Sequence, residues 1–239
     1  MLMAMSQPIA SGSSVAAASS ALVAGARDLA SALVAVLAFG IAFGAAAGAA
    51  DIPPLAAVAM SALVFAGASQ YAALELWTAP LPLVSLALMT LAVNARHLIF
   101  GMTLRDYLAR HSPVSRYTAL ALLSDANWAS TQRAIARGER SLGYLVGGGL
   151  VLWGTWTVGT MVGAYAGDAL GDPQRFGLDA IMPTFFACSL IGMMRSRSDL
   201  APWMLAAALA AGLSLAIPSH WAILIGAGAG ALFGVWRDG

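Results

Sequence analysis

The sequence predicts an all-α membrane protein: a polytopic bundle of about 7–8 transmembrane segments, some short, broken or re-entrant. Three observations carry this reading. Hydrophobic residues make up 60% of the chain and charged residues only 10%, where a soluble domain averages about 25% charged. Mean hydropathy is +0.79. Polar groups also interrupt long apolar runs at definite places instead of being spread along them, as in transporters built from broken helices.

The 239 residues suit one compact membrane domain, expected over 27–239. Residues 1–26 are rich in Ala and Ser with no basic residue before Arg27. They lack the charged start of a secretory signal and are expected to be a disordered or loosely attached leader. Hydrophobic segments follow at about 28–50, 55–77, 80–104, 117–134, 142–167, 177–195, 199–217 and 219–236. Several are short. Pro53–Pro54, Pro80 to Pro82, Pro173, Pro183 and Pro218 mark turns, helix starts or kinks.

All 12 basic residues are arginine, so Schiff-base chemistry and a lysine base are excluded. The single cysteine, Cys188, excludes an internal disulfide and a cysteine metal cluster, and reads as packing. His97, His111 and His220 are widely separated and show no zinc spacing. No metal or cofactor is expected. With a net charge of +1 and no basic patch, the chain shows no signature of nucleic-acid binding; the lipid bilayer is its expected surrounding.

In the first segments, Gly67-Ala-Ser-Gln-Tyr71 sits mid-span in 55–77. Gly67 and Ser69 permit local unwinding, and Gln70 offers donors and an acceptor, either to another helix or to a substrate. Glu75 reaches the span end, where solvation explains it. The segment 80–104 is the centre of the chain. As a helix it would measure roughly 37 Å, enough for a hydrocarbon layer of about 30 Å, and Arg96 would lie about 6 Å from its midplane. Inserting an arginine there costs about 2.5–3.5 kcal/mol on translocon scales. Asn94, Arg96 and His97 fan over about 160° of a regular helix, too wide for one helix–helix seam. Either the helix is enclosed on two sides, or it unwinds beside a cavity.

Between 117 and 134, Asn127, Thr131, Ser124, Trp128, Gln132 and Asp125 share an arc of about 160° if the stretch is one helix. Leu122, Ala126 and Ala129 lie opposite. An amphipathic surface helix would carry a basic stripe, which is missing here, so a helix facing an internal polar cavity is the better fit. Asp125 is then the expected counter-charge of Arg96. Together they could hold a zwitterion, guanidinium to carboxylate and carboxylate to ammonium, or simply neutralise each other.

Arginine placement orients the chain. Residues 132–140 hold Arg133, Arg137 and Arg140, and 195–200 hold Arg195 and Arg197; both belong to the cytoplasm, with Arg237. The acidic stretch 168–179 suits the outside. Eight spans satisfy this except at 105–116, where Arg105, Arg110 and Arg116 fall outside. Either that loop violates the rule, or 117–134 dips in and returns as a re-entrant element.

Glycine recurs every fourth residue at Gly40, Gly44 and Gly48, at Gly159, Gly163, Gly167 and Gly171, and at Gly226, Gly230 and Gly234. Three such patterns predict close backbone approach between helices of this chain. No internal sequence repeat is evident. Asp179 starts a helix, where a carboxylate complements the dipole, and Pro183 with Thr184 marks a kink. Trp77, Trp203, Trp221 and Trp236 read as interface anchors, and Trp128 shares the polar face.

The chain resembles the AzlC-type large subunit of branched-chain amino acid permeases. The likeness rests on Val64–Phe65–Ala66–Gly67–Ala68–Ser69–Gln70–Tyr71–Ala72–Ala73, on Val93–Asn94–Ala95–Arg96–His97–Leu98 and on Phe176–Gly177–Leu178–Asp179, in matching order over roughly 28–236. The resemblance implies export of branched-chain amino acids across a bacterial cytoplasmic membrane, with a small AzlD-like membrane subunit as partner. It points to Ser69, Gln70, Asn94, Arg96 and His97 as motif positions; Asp125, Asn127 and Trp128 complete the candidate substrate site on physical grounds.

No Walker motif supplies an ATP engine, so the leading expectation is a secondary transporter, with His97 and Asp125 as candidate proton carriers. One rival is a non-transporting scaffold that stabilises a partner, its polar groups acting as interhelical glue. The other is an intramembrane enzyme, for which Ser69 and His97 would be the imaginable pair; no enzyme-type motif surrounds them, and no enzymatic activity is expected.

Overall fold

The computed structural model describes residues 11–170 and 196–238, together with 184, 187, 191 and 194. Among the described residues every regular element is helical: α1 (Ser11–Asp28), α2 (Leu33–Ala49), α3 (Pro54–Val64), α4 (Gly67–Leu74), α5 (Leu83–Asn94), α6 (Arg96–Thr103), α7 (Arg105–Leu108), α8 (Pro113–Ala121), α9 (Asp125–Ala136), α10 (Leu142–Leu170), α11 (Leu200–Leu213) and α12 (Ser219–Asp238). The all-α membrane bundle is therefore as the composition predicts. Three helical stretches, Ala18–Ala49, Leu83–Thr103 and Leu142–Gly167, are long and apolar enough to cross a membrane, and Pro54–Val64 and Trp221–Arg237 are shorter apolar helices. The stretches around Cys188, Asp179, Pro173, Pro183 and Gly171 lie outside the described residues.

The chain divides into two compact units, one from Met1–Ala66 with Arg96–Asp168 and the other from Gly67–Ala95 with Ala169–Gly239. Each has its own internal packing.

In the first unit, α1 and α2 are joined by one 3-10 turn, Ala30–Ala32, and run along α10. The leader expected over 1–26 is helical from Ser11 onward, and Ala21 is buried against Ala134 and Tyr144. That burial was invisible in composition because Ala and Ser serve equally in a loose tail and in a tight helix seam. Glycine makes the seam possible. A Cβ on Gly147 would sit 1.9 Å from the Leu22 carbonyl oxygen, one on Gly163 1.9 Å from that of Ile41, and one on Gly44 2.2 Å from that of Thr160. Positions climb together on both partners, from Ala18 against Gly143 to Ala45 against Gly167, so the two helical runs are parallel. The sequence pattern predicted Gly40, Gly44, Gly159 and Gly163 in such contacts, whereas Gly48 has nothing within 4 Å. Phe43, fully buried, stacks on Trp156 with centroids 5.9 Å apart.

Helix α3 starts on Pro54 and stops at Phe65, whose φ of 39° and ψ of 49° put an aromatic residue in the left-handed region. Such a conformation costs about 1–3 kcal/mol and needs surrounding structure to hold it. Part of that structure is Trp153, whose indole N–H donates to the Ala62 carbonyl at 2.9 Å, serving a group that the interrupted helix leaves free. The Ser61 and Thr160 hydroxyls, both buried, share a hydrogen bond of 2.8 Å.

Helices α6 to α9 pack on the start of α10 around Phe100, Leu104, Tyr107, Leu108, Ala119, Leu123, Leu142 and Leu145. Ser112 caps α8 and Pro113 opens it. The stretch 117–134 is not one helix: α8 ends at Ala121, Leu122–Ser124 is non-helical, and Ser124 caps α9 by accepting from the Asn127 N–H at 3.4 Å. The 160° polar arc drawn on a continuous helix is corrected accordingly, because a serine–aspartate pair in an apolar run is itself a helix-start signal. Beyond α6 the chain folds back onto the α9–α10 turn. The Tyr107 hydroxyl donates to the Ser141 carbonyl, and a His111 ring nitrogen lies 3.3 Å from the Arg140 carbonyl.

In the second unit, α4 and α5 pack together, as do α11 and α12, with α5 also against α12. Gly226 and Gly230 meet the backbone of Ala206, Ala210 and Pro202 in descending order, so α11 and α12 are antiparallel. The Arg237 guanidinium closes that hairpin on the Ser198 carbonyl at 2.5 Å.

Candidate functional site

Arg96 is the first residue of α6 and Asp125 the first of α9. The preceding interruption is a single residue, Ala95, whose φ of −53° and ψ of −29° remain helical, so the polar motif is a ladder break without wide unwinding. Nη1 of Arg96 lies 3.1 Å from Oδ1 of Asp125, the counter-charge expected from sequence. The two helix ends act differently on this pair. A carboxylate in the first turn of α9 is favoured by the helix dipole, while a guanidinium at the start of α6 is disfavoured by it. The contact leaves Nε out, so the side-on fork that pairs Nε and a terminal nitrogen with one carboxylate is not formed. Nε of Arg96 is buried and has no acceptor among the described residues. The Arg96 side chain is 19% exposed and that of Asp125 41%. The cation is thus mostly enclosed and only partly spent.

An aromatic wall adjoins the pair. The His97 ring meets Phe100 edge-on with centroids 5.5 Å apart, and Phe100 stacks on Trp128 at 4.6 Å with 15° between planes. The Trp128 indole N–H donates to the Thr103 hydroxyl at 2.8 Å, and that hydroxyl donates to the Phe100 carbonyl at 2.8 Å. Three of these four residues lie on α6, one and two turns from each other, so the helix spacing builds the wall. Thr103 and Phe100 were not flagged in the sequence, since an apolar helix shows many such residues.

Asn127 has a different position. It is fully buried, and its amide N–H groups donate to the carbonyls of Leu122 at 3.1 Å and Leu145 at 2.9 Å. Leu122 is where α8 stops, so Asn127 satisfies the break and ties it to α10. Both its hydrogens are committed to backbone. Thr131, one turn on, is also fully buried, and its hydroxyl has no partner among the described residues.

Ser69, Gln70 and Asn94 belong to the second unit. Ser69 and Gln70 are buried on α4, and the Asn94 amide donates to the Ser69 hydroxyl at 3.2 Å, linking α4 to α5. The structure therefore brings Ser69 to Asn94 in one unit, and Arg96 to Asp125 with His97, Phe100 and Trp128 as a second group in the other.

A further polar cluster escaped the sequence reading. Asp28 accepts from the Tyr144 hydroxyl at 2.5 Å and from Arg137 at 2.9 Å, and Ser130 bonds to the same Tyr144 hydroxyl at 2.8 Å. The signal was Asp28 at the edge of an apolar run, but nothing in sequence marks its distant partners. Among the described residues no group of three or more His, Cys, Asp or Glu could hold a metal ion.

Comparison with known proteins adds the family. The model of the AzlC protein family matches residues 31–170. The chain is 28% identical over 153 residues to the inner membrane protein YgaZ of Escherichia coli (strain K12), an alignment covering 62% of this chain and 62% of that protein. No solved structure matches.

Proposed function

Because the chain belongs to the AzlC family, we propose that it is a multi-pass secondary transporter of a bacterial inner membrane that exports small neutral amino acids, branched-chain ones among them. The observation that carries this reading is the Arg96–Asp125 pair with its unspent Nε. A zwitterion has one group for each partner. Its carboxylate takes the guanidinium, including the Nε donor, and its ammonium takes the Asp125 carboxylate, so each charge keeps a counter-charge as the native contact opens. Phe100 and Trp128 supply apolar surface for an aliphatic side chain. No chemistry on the substrate is involved. A small AzlD-like membrane subunit is the proposed partner.

The test is efflux of labelled valine or leucine from proteoliposomes containing the chain alone or with the partner subunit. Arg96→Lys keeps the charge but loses the planar donor set, and Asp125→Asn keeps the shape but loses the charge. Normal export by both would remove the site from consideration. A second reading has its own support: the Asn127 and Asn94–Ser69 bonds are interhelical ties, as expected of a scaffold that stabilises a partner. It predicts that these substitutions lower the amount of assembled complex while leaving flux per assembled complex unchanged.

A further inference from the structure

We infer that α8 and α9 form a re-entrant hairpin, which enters and leaves the membrane on the cytoplasmic face and carries Asp125 to half depth on its tip. The inference rests on contacts within the first unit and is independent of the transport reading.

The two ends of the hairpin are joined. The segment leading into α8 is tied to the turn that follows α9, through Tyr107 to the Ser141 carbonyl and His111 to the Arg140 carbonyl. Arg116 then fastens the start of α8 to its own loop, donating to the carbonyls of His111 at 2.7 Å and Ala109 at 2.9 Å. Residues 105–116 and 137–141 thus share one level, the level at which α10 begins. A segment with both ends at one level has not crossed.

Length agrees. Helix α8 has 9 residues and α9 has 12, or about 13 and 18 Å, each near half of a hydrocarbon core of about 30 Å. The tip is gauged independently on α10: a Cβ on Gly149 would lie 2.6 Å from the Leu122 carbonyl oxygen, and Gly149 is seven residues, about 10 Å, beyond Leu142. A third measure is α6, whose 8 residues put Arg96 about 10 Å from Thr103. All three place the Arg96–Asp125 pair well inside the apolar layer. Backbone that turns at such depth is tolerated only when buried in protein, and Asn127 supplies the Leu122 carbonyl with its donor. The outward side of α8, with Val114 and Tyr117 largely exposed, is apolar enough for lipid.

Charge explains the orientation. Arg105, Arg110 and Arg116 now lie on the same face as Arg133, Arg137 and Arg140, so the loop that dissented from eight spans obeys the positive-inside rule. A corollary follows from the parallel seam. The α1–α2 run starts on the side where α10 starts and ends on the other, so between Ala49 and Arg105 the chain crosses an odd number of times.

Cysteine accessibility tests the hairpin. In a Cys188→Ala background, single cysteines are placed at Ala49, Ala109 and Ala136, all exposed, and labelled with a membrane-impermeant maleimide in intact cells and in inverted vesicles. Proper membrane insertion of each variant is checked with a C-terminal fluorescent fusion, and its thiol is labelled after denaturation to set full reaction. The expected result is labelling of Ala109→Cys and Ala136→Cys only in inverted vesicles, at least about tenfold above intact cells, with Ala49→Cys showing the reverse. Labelling of Ala109→Cys and Ala136→Cys from opposite sides would mean that 117–134 spans the bilayer, and labelling of both from outside would invert the orientation; either overturns the proposal.

Discussion

Asp125→Asn isolates one charge in the proposed site without changing its shape. In the native protein the carboxylate sits 3.1 Å from Nη1 of Arg96. The partly exposed aspartate places the pair between two regimes: exposed pairs contribute about 0–1 kcal/mol, and removing one partner of a buried pair costs about 3–5 kcal/mol. An interaction of the same kind with a substrate ammonium is therefore about 1–3 kcal/mol, or about 5–150-fold in affinity. The informative measurement is a cycle that pairs the substitution with its chemical counterpart on the substrate. Efflux of labelled leucine from proteoliposomes is competed by unlabelled leucine and by 4-methylpentanoate, which keeps the carboxylate and side chain but lacks the ammonium. Asp125→Asn should weaken competition by leucine about 5–150-fold and leave 4-methylpentanoate within about twofold, because the latter never met the aspartate. Equal loss for both compounds, or none for either, would refute the assignment of Asp125 to the ammonium.

The glycine seam gives a sharper structural contrast. Gly163→Ala places a Cβ 1.9 Å from the Ile41 carbonyl oxygen, and overpacking of this kind costs about 1–3 kcal/mol, a drop of several degrees in detergent melting. Gly48→Ala, with nothing within 4 Å, should melt as the parent does. Asn127→Ala strands the Leu122 carbonyl and removes the tie to that of Leu145, and should cost about 1–3 kcal/mol, read as lower yield of folded protein with unchanged flux per folded molecule. Burial, with smaller additions from Glu139 and Tyr144, holds the Tyr107 phenol well above its ordinary value of 10.0. The unfolded phenol ionises first as pH rises, so this contribution to stability is whole below about pH 10 and is lost above it. Melting temperatures between pH 9 and 11 should fall less steeply for Tyr107→Phe than for the parent.

Much of this architecture was legible in residue order. Period-four glycines predicted backbone contact, and Gly40, Gly44, Gly159 and Gly163 make it, because only a missing side chain lets two helices approach so closely. Arg96 and Asp125 were paired on charge alone, since an enclosed cation needs an anion and the apolar runs offer few. Charge and polarity decide less where a residue type serves two ends. The Asn127 amide suits a polar site, and its donors here serve backbone left open by a helix break. That break lay hidden between Leu122 and Ser124, where apolar periodicity continues without proline or glycine. Helix α1 was lost among alanines and serines for the converse reason: a helix held by close packing needs no large side chains.

The parallel seam of α1 and α2 against α10 also constrains how this molecule can move. Carbonyl oxygens of Leu22, Ile41 and Thr160 each rest where a glycine's side chain would be, like teeth seated in notches. Sliding by a fraction of a turn would drive them into Cα atoms, and the next seating is a full turn, about 5.4 Å, away. These long helices therefore form a keel, and small displacements during any working cycle fall to the shorter helices around it.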